Sequence, residues 1–179
     1  MNTAIKISVP SKNDVDSKSQ EIFDQVNGKL GMVPNLYATI GYSSNALSSF
    51  LSFSAEAGKG SFNNKEIEAI KLAVSESNNC SYCKAAHTAI AQSNGFSQLE
   101  TVQLRHATID DSKLRTLTSI AKAISENAGH IDNDLKNEFF DQGYDNKALI
   151  DLAAVITAVT FTNYVHGITQ VEVDFPEVK

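Results

Sequence analysis

Residues Asn64 to His87 read NKEIEAIKLAVSESNNCSYCKAAH. Ile67, Ile70, Lys71 and Val74 fall three and four apart, the period of a helix and not the two of a strand. The spacing predicts a helix from Asn64 to about Ser77. Asn78-Asn79 then supplies a turn signal, and a second helix starts near Cys80 or Ser81 and ends at Asn94-Gly95. The stretch is a helix, a turn and a helix, and the only two cysteines of the chain stand at the start of the second helix.

The same period extends outward in both directions. Upstream, one helix is expected from about Val15 to Leu30, with Ile22, Phe23, Val26 and Leu30 on one side. Gly28 and Gly31 break it, Pro34 holds Val33 extended and opens a short helix through Ile40, and a third helix runs roughly from Asn45 to Ala57 with Leu47, Phe50, Leu51 and Ser54 facing inward. Downstream, Ser97 with Glu100 forms a capping box for a helix to His106. Asp110 or Asp111 caps another through Asn127, Leu135 to Phe140 is helical, Gly143 interrupts, and a long helix covers Asn146 to about Val165. The tail TQVEVDFPEVK reads as a short extended piece. No run of alternating strands occurs, so the fold class is all-α. One domain is expected over 1–179, with the cysteine motif in 64–95 and a second helical half in 110–170. Laid without gaps, KEIEAIKLAVSESNNCSYC matches KALIDLAAVITAVTFTNYV in its apolar positions, which points to a degenerate duplicated helical unit whose second copy lost its chemistry.

The totals exclude several classes. Hydrophobic residues at 42% and charged ones at 20% are ordinary for a soluble globular chain. A net charge of −6 disfavours nucleic acid and anionic membranes as partners. The first twenty residues are too polar for a signal peptide. The longest apolar candidate, Leu149 to Tyr164, carries Asp151, Thr157, Thr160 and Thr162, so no membrane span is expected. The expected location is cytoplasmic, where a close cysteine pair is more often catalytic or metal-binding than a structural staple.

Three readings of Cys80, Cys83 and His87 compete: a redox dithiol, half of a metal site, and small hydrophobes that happen to be neighbours. Cys80 at a helix start and Cys83 one turn on are close enough for a disulfide, and a helix N-terminus favours thiolate. His87 shares a face with Cys83 one turn further along. Folded as an antiparallel hairpin about Asn79, the chain brings Glu68 to within about 4–5 Å of the level of His87 along the axis. A semi-buried carboxylate there could orient the imidazole or relay its proton. Glu76, nearer the turn, reads as solvated. Zinc needs four ligands and only three are local, with His106, His130 and His166 as the remaining histidines. Those three histidines, and Tyr82, read as structural. Tyr37, Tyr42, Phe50 and Phe53 read as core or oligomer interface rather than as the walls of a substrate channel.

Glu68-x(11)-Cys80-x-x-Cys83-x-x-x-His87, set in LAVSESNNCSYCKAAH, resembles the active-site pattern of the alkyl hydroperoxidase D (AhpD) family within the carboxymuconolactone decarboxylase superfamily. LGMVPNLYATIGYSSNAL and VEVDFP resemble its peroxidase-related branch. The resemblance implies an AhpD-like helical fold and a thiol-dependent peroxidase or disulfide reductase acting on alkyl hydroperoxides. Within it, Cys83 is the attacking thiolate, Cys80 the resolving partner that closes a Cys80–Cys83 disulfide, and His87 with Glu68 the proton relay. It also implies a dithiol reductant, a lipoyl-type or thioredoxin-like carrier, and a homo-oligomer, trimeric or hexameric. No metal and no bound cofactor is implied. One departure is Tyr82, where the family's best-known members carry histidine; a phenol supplies no charge near pH 7. The alternatives are a lyase like the superfamily's namesake, which needs no Cys-x-x-Cys pair, and a non-enzymatic redox-sensing oligomer.

Overall fold

The computed structural model describes residues 7–176; Glu177 to Lys179 of the expected extended tail lie outside them. A short 3-10 turn at Lys12–Asp14, absent from the sequence reading, precedes nine α-helices among the described residues. They are α1 (Ser17–Leu30), α2 (Asn35–Ile40), α3 (Ser44–Ala57), α4 (Asn64–Ser77), α5 (Ser81–Ser93), α6 (Gln98–His106), α7 (Ser112–Glu126), α8 (Asn133–Asp141) and α9 (Asn146–Thr169). No strand occurs among these residues, and the chain is all-α as its periodicity predicts.

The helices begin where short polar side chains can satisfy orphan backbone N–H groups. Asp16, Ser43, Asn63, Ser97, Asp111, Asp132 and Asp145 each accept from the backbone N–H three residues on. The Ser97–Glu100 capping box is present as expected. Helix α1 ends at Gly31, whose φ of +76° is strained for any residue with a Cβ.

Helix α4 lies at the centre, packed against α5, α6, α7 and α9. Its Ala69, Ile70, Leu72, Ala73, Val74 and Ser75 are fully buried. Each large apolar side chain so enclosed contributes roughly 1.5–3 kcal/mol of transfer free energy. One core joins Ile70 and Val74 to Leu117, Ile120, Phe139 and Leu152 of α7, α8 and α9. Another gathers Phe23, Leu36, Leu47 and Phe50 around Cys80 and Cys83.

Several expectations need correction. Leu30, grouped on one side of α1 with Phe23 and Val26, is 58% exposed where those two are buried. Helix α9 runs four residues past Val165, to Thr169, passing through Gly167 before Gln170 turns left-handed at φ +50°. With 24 residues it is long and apolar enough to cross a membrane by length and composition, contrary to the expectation from Asp151 and the threonines. A core helix passes the same test, and Leu152, Val155 and Val159 of α9 are buried inside the protein. Residues 171–176 have no regular structure but are pinned, with Val171 buried against the Cys80–Cys83 core.

Candidate active site

The break between α4 and α5 is built from side chains that hold a tight turn. Asn79 takes φ +49°, a left-handed conformation that asparagine tolerates better than most residues. Asn78 Nδ2 donates to Asn163 Oδ1 at 2.9 Å, and Ser125 Oγ donates to Asn78 Oδ1 at 3.3 Å. The Cys80 N–H donates back to the Ser75 carbonyl at 3.0 Å. Cys80 then stands at the N-cap of α5, the one helix start where sulfur replaces an oxygen cap, and the Cys83 N–H points at its Sγ from 3.1 Å.

Cys80 and Cys83 form a disulfide, with Cα atoms 5.3 Å apart, close to the usual span for such a bond. Both residues are 2% exposed, yet their surroundings differ. Cys83 borders a cavity of about 240 Å³, whereas Cys80 lies behind it and does not line it. His87 and Lys71 share the cavity wall with Cys83. On its far side the Cys83 Sγ lies 3.8 Å from Thr162 Oγ1 of α9.

The hairpin brings His87 and Glu68 together. His87 Nδ1 and Glu68 Oε2 are 2.8 Å apart, and Glu68 Oε1 accepts from Lys71 Nζ at 3.1 Å. Glu68 is 4% exposed. Burial works against its charge, but the His87 ring and the Lys71 ammonium outweigh it and bring its pKa from 4.5 to about 2. An ionised carboxylate only accepts, so the proton between the two belongs to Nδ1, which leaves Nε2 as the ring nitrogen that can exchange a proton with the cavity. A base oriented by a carboxylate and a cysteine beside the same cavity can activate a nucleophile.

The surrounding aromatics depart from the sequence reading. Phe50 is in the core as expected, with Tyr37 packed against it, yet both also line the cavity, against that reading; Tyr42 and Phe53 are largely exposed. Burial, and then the charge of Glu68, push the Tyr37 phenol up. Tyr82 packs as expected and also makes two hydrogen bonds. Its hydroxyl donates to Asp174 Oδ1 and accepts from the Leu36 N–H at 3.2 Å. Burial and then the bond to Asp174 drive its pKa well above that of a free phenol. Asp174 Oδ2 takes the Asn35 N–H at 2.8 Å, and the Phe175 ring meets Tyr82 edge-on at 5.6 Å. The tail and the N-terminus of α2 are thus clasped together over Tyr82, which lies between the cysteines.

His166 is buried beside Tyr82, and burial lowers its pKa; His106 and His130 are exposed and distant from the cysteines' cavity. Glu76 is not freely solvated: it pairs with Lys84 at 3.5 Å and Arg105 at 3.8 Å. Among the described residues no cluster of three or more His, Cys, Asp or Glu side chains could hold a metal ion. Lys71, Thr162 and Phe175 border the cavity without having been singled out. For Lys71 a signal existed, a cation one turn from Glu68 on an otherwise apolar helix face. For Thr162 and Phe175 nothing local distinguishes them.

The carboxymuconolactone decarboxylase family model matches residues 45–125, a span that contains α4, the turn and α5. Solved structures share the fold over most of the chain. An uncharacterized peroxidase-related protein from Silicibacter sp. TM1040 is 24% identical, with a TM-score of 0.78 over 95% of this chain and 94% of that one. A second, an uncharacterized peroxidase-related protein with an alkylhydroperoxidase AhpD core, from Ralstonia eutropha JMP134, is 20% identical with a TM-score of 0.80, over 90% and 88%. A third, the debrominase Bmp8 in complex with 2,3,4-tribromopyrrole, is 20% identical with a TM-score of 0.79, over 97% and 93%. No curated protein matches the sequence.

Proposed function

We propose that this chain is a dithiol-dependent peroxidase of the AhpD-like, carboxymuconolactone decarboxylase superfamily. The superfamily is enzymatic. The observation that carries the reading is the asymmetry of the cysteines: Cys83 faces the cavity with His87, and Cys80 waits behind it.

In the reduced enzyme His87 Nε2 takes the Cys83 proton, and the thiolate attacks the outer oxygen of a hydroperoxide. The O–O bond breaks, the alkoxide takes the proton from His87 and leaves as an alcohol, and Cys83 becomes sulfenic acid. The Cys80 thiol displaces its hydroxyl as water and closes the disulfide. An external dithiol, of lipoyl or thioredoxin-like class, reopens it by exchange and leaves oxidised. Glu68 fixes the tautomer of His87 throughout. A cytoplasmic setting suits such a cycle. A homo-oligomer, trimer or hexamer, is part of the proposal, and the exposed Ile150, Tyr164 and Ile168 along α9 support it.

The test is repeated turnover. Purified protein with cumene hydroperoxide and dihydrolipoamide should consume peroxide over many cycles, and intact-mass measurement of Cys80→Ser after peroxide should find one added oxygen on Cys83, replaced by a dimedone adduct when that trap is present. A redox sensor would oxidise once and stop, and a lyase would ignore peroxide; either result would displace this reading. Reductive dehalogenation is the second reading, favoured by the aromatic walls Tyr37, Phe50 and Phe175 and by the debrominase of like fold. There the dithiol would exchange a carbon–bromine bond for carbon–hydrogen, releasing bromide and leaving the disulfide. Bromide release from a bromopyrrole, without peroxide turnover, would select it.

A further inference from the structure

We infer that the cavity beside Cys83 is built for an apolar hydroperoxide that carries a carboxylate, held by Lys71. The inference rests on the peroxidase reading and narrows it to a substrate class.

Most of the cavity wall is hydrocarbon, including Leu36, Phe50, Ile90 and Val159. Among the described residues no carboxylate lines it. Glu68, the counterion of Lys71, stands behind the wall and faces a separate groove near Gly58 and Asn64. Both Glu68 oxygens are engaged, one by Lys71 and one by His87. Among the described residues Lys71 donates one hydrogen bond, to Glu68, of the three its ammonium can make. The cavity therefore presents a cation with donors to spare on an otherwise apolar surface. The chain's net charge of −6 opposes anions at long range. Salt screens that field beyond about 8 Å, so contact with Lys71 dominates once a ligand is inside.

The register fits a compact acid. Lys71 lies eight residues before Asn79 and Cys83 four after it, in helices that run antiparallel. The two side chains thus differ by about four residues, roughly 6 Å, along the hairpin axis. A rigid ring with a carboxylate at one end and a hydroperoxide at the other spans such a gap. A neutral alkyl hydroperoxide fills the same space but leaves the ammonium with Glu68 as its one partner and its remaining donors unused.

The test uses twin substrates with one reacting centre: cumene hydroperoxide, its para-carboxylate, and the methyl ester of that acid. The wild-type protein should favour the carboxylate over both neutral twins by about 10- to 100-fold in kcat/KM, the range of a charge-assisted hydrogen bond. Lys71→Met should bring that ratio to about one, and Lys71→Arg should keep most of it. Equal rates on the three substrates in the wild-type protein, which need no variant, would overturn the inference. So would a Lys71→Met variant that slows all three by one factor, since Lys71 would then serve only to position Glu68. A binding arm separates this from the peroxidase reading. The oxidised protein should bind 4-isopropylbenzoate about tenfold tighter than 4-isopropylbenzyl alcohol, measured by calorimetry, and lose the difference in Lys71→Met. Tight benzoate binding without peroxide turnover would keep the carboxylate site and reject the peroxidase. Turnover without any benzoate preference would keep the peroxidase and reject the carboxylate site.

Discussion

Helix α4 and the first half of α9 start alike and end differently. Asn63 and Asp145 cap them through the same contact, and Ile70 and Leu152 occupy matching, fully buried positions. After fourteen residues α4 breaks at Asn78-Asn79, whereas α9 continues through Thr160 to Thr162 without interruption. In the gapless overlay Glu68 meets Ile150 and His87 meets Thr169. The first pair is separated by 2.8 Å across the hairpin. The second, with the same nineteen-residue spacing on a straight helix, lies about 28 Å apart. The chemistry therefore comes from the break. It frees the N–H groups at Cys80 and returns His87 to Glu68; without it the matching positions become an exposed Ile150 and a helix end.

The sharpest way to break the contrast is to remove its sulfur. Cys83→Ser should cut peroxide turnover by at least about 10³-fold, since an alcohol is scarcely ionised at neutral pH. Cys80→Ser should retain the first chemical step and leave a sulfenic acid that dimedone traps, seen by mass spectrometry.

The relay comes next. Glu68→Gln should lower kcat by about 10²-fold, the scale of a disabled general base. It should also destabilise the fold by about 3 kcal/mol at pH 7, because Lys71 and His87 lose a buried counter-charge. The pH dependence has a definite sign. Glu68 titrates near 2 in the folded chain and near 4.5 when free, so its contribution is fully present above pH 4.5 and is lost as pH falls towards 2. The pair of values corresponds to about 3 kcal/mol. Urea midpoints measured across that window should fall less steeply in Glu68→Gln than in the wild-type protein. Equal slopes would detach Glu68 from the pair.

Asn79 tests the turn itself. Asn79→Gly should leave stability within about 0.5 kcal/mol, whereas Asn79→Val, with a β-branched side chain at positive φ, should cost about 1–3 kcal/mol by denaturant melts. Equal stability of the two would mean the turn does not need its left-handed residue.

These contrasts separate what was legible in the sequence from what was not. The α4 stripe, the Ser97 box and the Glu68–His87 spacing are local patterns with fixed periods, and they read directly. The α9 end shows the limit of such patterns, because Gly167 suggests a stop near Val165 and the helix nonetheless runs through it to Thr169. Leu30 fits the apolar period of α1 yet sits one residue before Gly31, where the helix has run past the core. The cavity walls were hidden for another reason. Tyr37, Phe50 and Phe175 come from α2, α3 and the tail, and only tertiary packing brings such segments to one sulfur. Tyr82 likewise looked like packing alone, since its partner Asp174 lies 92 residues away.

The smallest expected effect lies where the two regions touch. Thr162, the overlay partner of Cys80, stands 3.8 Å from the Cys83 sulfur, and its hydroxyl donates to the Val159 carbonyl at 2.7 Å. With that proton committed, the oxygen can only accept from Cys83. It can then accept an S–H from the reduced protein and offers nothing to a thiolate, so it favours the protonated sulfur. Thr162→Val keeps the shape and removes the acceptor. Its expected outcome is a small downward move in the pH midpoint of Cys83 alkylation, by a few tenths of a unit, as suits a weak sulfur hydrogen bond. An upward move would mean that the hydroxyl turns from Val159 to serve the thiolate, and that α9 assists the chemistry its own unbroken course does not carry.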